Sequence, residues 1–218
     1  MTALQDQLDE ITANTRGLVQ PERLAVGERA VEELFGTGIE DRILPVGARA
    51  PEFALKDSSG RIVRSADLLS LGPLIIKFFR GRWCPYCMTE LEAWRELYPR
   101  LRERGGLLVA ISPQIERQSD FMVGQHQLPF PALTDRGCAL AEKFRLAYTV
   151  PDYQRDYYLS ILVNLPFVNG DATWRLPLPA TYVVARDGQV LFAEAHADFR
   201  VRPEPEEALD AALAACRH

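Results

Sequence analysis

Two of the four cysteines are separated by two residues in Trp83-Cys84-Pro85-Tyr86-Cys87, a spacing that serves either metal binding or reversible disulfide chemistry. A structural zinc site needs four ligands. The remaining candidates, Cys138, Cys216, His126, His196 and His218, are scattered and show no second paired spacing, so no metal is expected. The sulfur chemistry follows from what flanks the pair. Residues 74–79, Leu-Ile-Ile-Lys-Phe-Phe, read as a strand buried on both faces. A helix then runs from Cys87, with Leu91, Trp94, Tyr98 and Leu101 on one apolar stripe. Cys84 would cap that helix, where free amide protons and a partial charge of roughly half a unit favour a thiolate. Pro85 suits the first helical position, which needs no amide proton. Such placement lowers a thiol from about 8.5 into a range of about 3.5 to 7.5, so Cys84 is the expected nucleophile.

Arg80 and Arg82 flank that sulfur with positive charge, and Trp83 is expected to cover the pair. Cys87, one turn on, begins the buried stripe and is the expected shielded, resolving thiol. Pro179 stands ahead of a strand at 181–185. A cis bond at Leu178-Pro179 is expected there, bringing backbone acceptors against the sulfurs.

The positioning elements follow from periodicity. Residues 1–45 read as an N-terminal helical extension of two short helices, and 46–218 as the main domain, opening with a hairpin around Ser58-Ser59-Gly60. Pro99 should bend the long helix and Gly105-Gly106 should stop it. A strand at 107–111, a helix at 115–127, an extended piece at 129–133 and a helix at 138–146 follow. The alternation of strand and helix predicts an α/β fold with parallel strands and crossover helices. Strands at 181–185 and 189–193 flank Arg186-Asp187-Gly188, and an Ala-rich helix closes at 204–216. Ahead of these strands, about 150–178, lies an insert with Tyr153, Tyr157, Tyr158, Phe167 and Trp174. It is too long for a bare loop, so a short helix, a lid or a contact surface is expected.

The chain has 218 residues, 47% of them apolar, and a net charge of -5. That balance argues against nucleic acid and anionic membranes as partners. No signal segment and no apolar run of about 20 residues is visible, which makes the cytoplasm the expected location. No nucleotide, flavin or haem signature appears, so no cofactor is expected.

The opening segment Gly47-Ala48-Arg49-Ala50-Pro51-Glu52-Phe53-Ala54-Leu55, the Trp83-Cys84-Pro85-Tyr86-Cys87 unit and Pro179-Ala180-Thr181-Tyr182-Val183-Val184 with Asp187-Gly188 resemble the AhpC/TSA branch of the thioredoxin superfamily. The resemblance, over about 46–217, implies a thioredoxin-like fold, a central mixed sheet flanked by helices, with the insert placed before a cis-proline strand. It implies a peroxiredoxin-like peroxidase acting on hydrogen peroxide or organic hydroperoxides. Cys84 would become a sulfenic acid and condense with Cys87, and thioredoxin or a similar donor would reduce the disulfide. A thiol-disulfide exchange enzyme and a non-enzymatic redox sensor are the alternatives, and a homodimer is one expected assembly. Peroxiredoxins of this type carry Pro and Thr or Ser seven and three residues before the reactive cysteine, where this chain has Lys77 and Gly81, and Pro179 aligns with their later-strand Arg. Arg80, Arg82 or Arg202 would have to compensate.

Overall fold

The computed structural model describes residues 3–216; His218 lies outside them. The chain opens with α1 (Leu4–Leu18) and α2 (Pro21–Gly36), then forms the hairpin of β1 (Ala54–Asp57) and β2 (Ile62–Arg64). A short α3 (Ser65–Leu71) leads into β3 (Leu74–Phe78), α4 (Pro85–Glu103), β4 (Leu107–Ser112), α5 (Glu116–His126), β5 (Ala132–Thr134) and α6 (Ala139–Lys143). The insert holds β6 (Ala147–Thr149), α7 (Asp152–Ser160), α8 (Leu165–Asn169) and β7 (Arg175–Pro177). The chain then returns through β8 (Ala180–Val184) and β9 (Val190–Ala195) to α9 (Pro205–Ala215).

The central sheet has the order β2-β1-β5-β4-β3-β8-β9, with β3, β4 and β5 parallel and the outer strands antiparallel. It is therefore mixed, with helices on both faces. The period-two alternation of β3 divides its residues between two cores. Leu74, Ile76 and Phe78 pack with Phe144 and Tyr182 on one face, while Ile75 and Phe79 pack with Leu91 and Trp94 of α4 on the other. Lys77 falls on the α4 side by the same alternation, and β3 is buried throughout, Lys77 included. The α4 helix runs on through Pro99.

The N-terminal helices are integral to this packing. Leu4 and Leu8 of α1 are buried in the core that contains Cys84 and Cys87. Glu204, just before α9, accepts from the Leu4 and Gln5 amides at the otherwise open start of α1. The insert closes on itself because β6 and β7 pair antiparallel, and Val150, Tyr158, Val163, Leu165 and Leu176 form a small core there, against Trp83.

One expectation is overturned. No cis peptide bond occurs among the described residues, so the Leu178-Pro179 bond is trans. The β7 to β8 passage requires no reversal at that point: the Leu178 amide bonds the Leu146 carbonyl at 2.8 Å, and Ala180 pairs directly with Phe78. The trans form, intrinsically preferred by about 0.5–1 kcal/mol, satisfies both contacts.

Candidate active site

The β3 strand ends one residue short of Phe79, whose amide still bonds the Ile111 carbonyl, and Arg80 and Gly81 make the turn into α4. Gly81 has φ +147°, and a Cβ there would come within 2.5 Å of Trp83 Nε1. Only glycine fits beneath that indole. Cys84 is the N-cap of α4 with extended φ and ψ, Pro85 starts the helix, and the Cys87 and Met88 amides both bond the Cys84 carbonyl at 3.1 Å.

Both cysteines are reduced and buried, Cys84 at 1% exposure and Cys87 at 0%. Cys84 lines a cavity of about 200 Å³ and Cys87 does not. The sulfurs share a hydrogen bond, and the charge falls opposite to the expectation from the helix start. Burial, then the hydrogen bond and charge of Cys87, push Cys84 well above the ordinary thiol range. Burial also works against ionising Cys87, but the Cys84 hydrogen bond and the guanidiniums of Arg202 and Arg80 outweigh it and bring Cys87 to about 6. The expectation that Cys84 carries the resting thiolate is thus corrected. The helix start alone does not offset the cost of burying an ion, whereas Arg202 Nη2 stands 3.8 Å from Cys87 Sγ.

Arg202 arrives from the segment between β9 and α9. Its Nε donates to Glu90 at 2.8 Å, and its Nη1 donates to the Val201 carbonyl at 2.8 Å and to the Phe199 carbonyl. Glu90, 1% exposed, also takes Lys77 Nζ at 2.7 Å as an ion-pair contact off the hydrogen-bond direction. Lys77 donates to Thr181 Oγ1 at 3.1 Å, and its burial, partly opposed by Glu90, lowers its pKa. Behind the cysteines, therefore, lies a buried Lys77–Glu90–Arg202 network. The sequence carried its signal: Lys77 shares a strand face with Ile75 and Phe79, and Glu90 lies one turn beyond Cys87 on the helix.

Arg80, 2% exposed, lines the cavity beside Cys84. Its Nη2 bonds Tyr158 Oη, and its guanidinium lies 4.1 Å from the Phe199 ring centre and 4.9 Å from that of Trp83. Among the described residues, neither its Nε nor Trp83 Nε1 has a hydrogen-bond partner. Trp83 is wedged edge-to-face against Tyr158 of α7 at 5.3 Å. Tyr86 is fixed by Thr12 of α1 at 3.1 Å and by the Phe199 ring at 5.4 Å. Extension, insert and C-terminal segment thus all wall the cavity, a convergence with no local signal in the sequence.

Arg82 is exposed and engages α5: its amide and its Nε donate to Gln114 and Gln118, and it lies over Phe121. Pro179 is buried ahead of β8 and is not part of the cavity wall. Cys138 is fully buried, and burial pushes its thiol far up. The Cys216 thiol is pushed up as well, again by burial. His126 and His196 sit 2.8 Å from Glu92 and Glu194, away from the cavity wall.

Residues 46–193 match the AhpC/TSA family. The thiol-disulfide oxidoreductase ResA of Bacillus cereus is 24% identical over 149 residues, 68% of this chain and 68% of that protein. Chloroplastic peroxiredoxin Q of Sedum lineare is 26% identical over 167 residues, 77% of this chain and 75% of that one. The crystal structure of peroxidoxin BcpB from Mycobacterium tuberculosis superposes with a TM-score of 0.62 at 22% identity, over 80% of this chain and 97% of its own. Xanthomonas campestris peroxiredoxin Q gives 0.56 at 21% identity, over 76% and 89%. These structural likenesses are likenesses of fold.

Proposed function

The chain belongs to the AhpC/TSA family of the thioredoxin superfamily, and from that premise we propose that it is a thiol peroxidase acting through Cys84 and Cys87. The observation that carries this reading is a cavity lined by Cys84 together with Arg80 and Trp83, each of which keeps a buried N–H without a hydrogen-bond partner among the described residues. Buried donors without acceptors are costly, and a peroxide supplies two small oxygen acceptors beside the sulfur. They stand in for the hydroxyl and later-strand Arg that this chain lacks.

In the proposed cycle, Cys84 is the attacking sulfur because it faces the cavity. The pair holds one negative charge, and the proton of Cys84 passes to Cys87 along their hydrogen bond as attack proceeds. Cys84 sulfur attacks the peroxide oxygen that bears the proton, the O–O bond breaks, and the other oxygen leaves as alkoxide or hydroxide, giving a sulfenic acid and, after protonation, an alcohol or water. Cys87 then attacks that sulfenic acid, water leaves, and the Cys84–Cys87 disulfide forms. Two thiols from an external donor restore the dithiol.

A thiol-disulfide exchange enzyme is the second reading, favoured by the ResA relatives and by a CxxC pair at a helix start. One experiment separates the two. Reduced protein is mixed with an equimolar hydroperoxide and no donor, and free thiols and peroxide are followed. Loss of two thiols per peroxide, abolished in Cys84→Ser, supports the peroxidase. Cys87→Ser should then hold a sulfenic acid that a dimedone-type probe traps. Reduction of insulin disulfides without peroxide consumption would replace the peroxidase by the exchange enzyme.

A further inference from the structure

We infer that the electrons returning to the Cys84–Cys87 disulfide come from a small thiol bearing a carboxylate, which enters the cavity and pairs with Arg80, rather than from a protein docking over the cysteines. The inference rests on the disulfide of the proposed cycle and names its reductant.

Access is the first observation. A protein donor must bring its own sulfur into bonding contact with Cys84, yet Cys84 is 1% exposed. Thr12 and Thr15 of α1, Leu24 of α2, Tyr157 of α7 and Ile161 just after it line the cavity around Cys84. The cavity holds about 200 Å³, below the roughly 300–1,000 Å³ of cavities that take drug-sized ligands. A thiol of a few heavy atoms fits that space, and a folded donor's loop does not.

Charge is the second. The guanidiniums around the cavity differ in their partners. Arg200 is held by Glu28 at 2.6 Å and Asp198 at 2.8 Å, and Arg16 reaches Glu28 at 3.7 Å. Arg80 makes no ion pair among the described residues, and its Nε is unpartnered. In the dithiol form, the single thiolate of the cysteine pair offsets this buried charge. Disulfide formation removes that anion. The oxidised protein therefore holds a buried guanidinium on the cavity wall with no ion-pair partner among the described residues, and an entering carboxylate supplies one.

The exchange then balances. The donor thiolate attacks Cys84 Sγ, the Cys84–Cys87 bond breaks, and Cys87 leaves as a thiolate. A second donor thiolate attacks the donor sulfur of the mixed disulfide, freeing the donor's own disulfide and Cys84. Two donor thiols are oxidised and one protein disulfide is reduced. Attack at the cavity-facing sulfur is also the faster route, since the lower-pKa thiol leaves faster and Cys87 is the one brought to about 6.

The test uses the full-length chain with its disulfide preformed by a diamide-type oxidant, so hydroperoxide chemistry does not enter. Its reduction is followed with mercaptopropionate, with mercaptoethanol at the same thiolate concentration, and with thioredoxin. Mercaptopropionate should be faster than mercaptoethanol by about tenfold, the ratio of about one buried charge-assisted contact. Thioredoxin should be no faster than mercaptoethanol. Arg80→Gln should bring the ratio of the two small thiols close to unity, a ratio that a general loss of packing does not set. In the unaltered protein, propionate should slow mercaptopropionate. Faster reduction by thioredoxin, or equal rates for the two small thiols, overturns the inference. Failure of hydroperoxide to oxidise the reduced protein overturns only the peroxidase reading.

Discussion

Exchanging Arg202 for Met removes the guanidinium that stands 3.8 Å from Cys87 Sγ and keeps most of the buried volume. Two unit charges at that distance attract by about 4 kcal/mol at an effective dielectric of about 20. That figure is a ceiling, because the guanidinium charge is shared with Glu90 at 2.8 Å. Half of it, about 2 kcal/mol, corresponds to about 1.5 pH units. Arg202→Met should therefore move the thiolate midpoint from about 6 to about 7.5. Glu90 keeps Lys77 at 2.7 Å, so no carboxylate is left alone in the core and the variant should still fold. The assay is thiolate ultraviolet absorbance against pH, with alkylation rate as a second readout. Arg202→Lys keeps the charge and should stay closer to the unaltered midpoint. A midpoint unmoved in Arg202→Met, or moved equally in both variants, would refute the electrostatic account of the cysteine pair.

Four further outcomes follow from the same geometry. Gly81→Ala drives a methyl into Trp83 at a φ of +147°, and should lower stability to urea by about 1–3 kcal/mol with a change in Trp emission. Glu90→Gln leaves Lys77 and Arg202 facing each other, whereas Lys77→Met leaves the Arg202–Glu90 pair intact. In urea titrations, Glu90→Gln should cost about 3–5 kcal/mol and Lys77→Met less. In the reduced protein, Cys87 sits below the usual thiol value of about 8.5, so its stabilisation is full above that pH and lost as pH falls through about 6. Cys84, raised, adds a cost only above about 8.5, so the Tm of reduced relative to oxidised protein should climb from pH about 6 to about 8.5 and then fall. Cys138→Ser should leave peroxide turnover unchanged, because burial keeps that thiol protonated.

The fold was legible wherever periodicity was strong. The apolar run of β3, the four-and-three stripe of α4 and the Asp187-Gly188 turn between β8 and β9 stand in the structure within a few residues of their expected places. The α3 helix had no such signal, being short and flanked by Arg64 and Gly72. In the site, Cys84 at the helix start and Arg80 beside it were readable from spacing. The location of the resting charge was not. It depends on Arg202, more than a hundred residues away in sequence, and on the burial of both sulfurs in a core completed by Leu4 and Leu8 of α1 and Leu209 of α9, which no local pattern encodes. Arg82 illustrates the converse: two residues from Cys84 in sequence, it is drawn to Gln118 and Phe121 of α5.

Gly81 links the departures from the family pattern into one construction. Relatives of this type are expected to carry a hydroxyl side chain there, but at φ +147° a Cβ would meet Trp83 Nε1 at 2.5 Å. The indole nitrogen therefore occupies the space that a side chain on residue 81 would fill, and it brings an N–H of its own. That indole is held by Tyr158 of the insert, and the same Tyr158 bonds Arg80, whose Nε, like the indole N–H, has no partner among the described residues. The bare residue 81, the indole at 83 and Tyr158 of the insert thus pack as one unit. In the proposed cycle the donors to peroxide are set by tertiary packing rather than by the strand itself, so a change in α7 that frees Tyr158 should impair Cys84 oxidation without touching either cysteine.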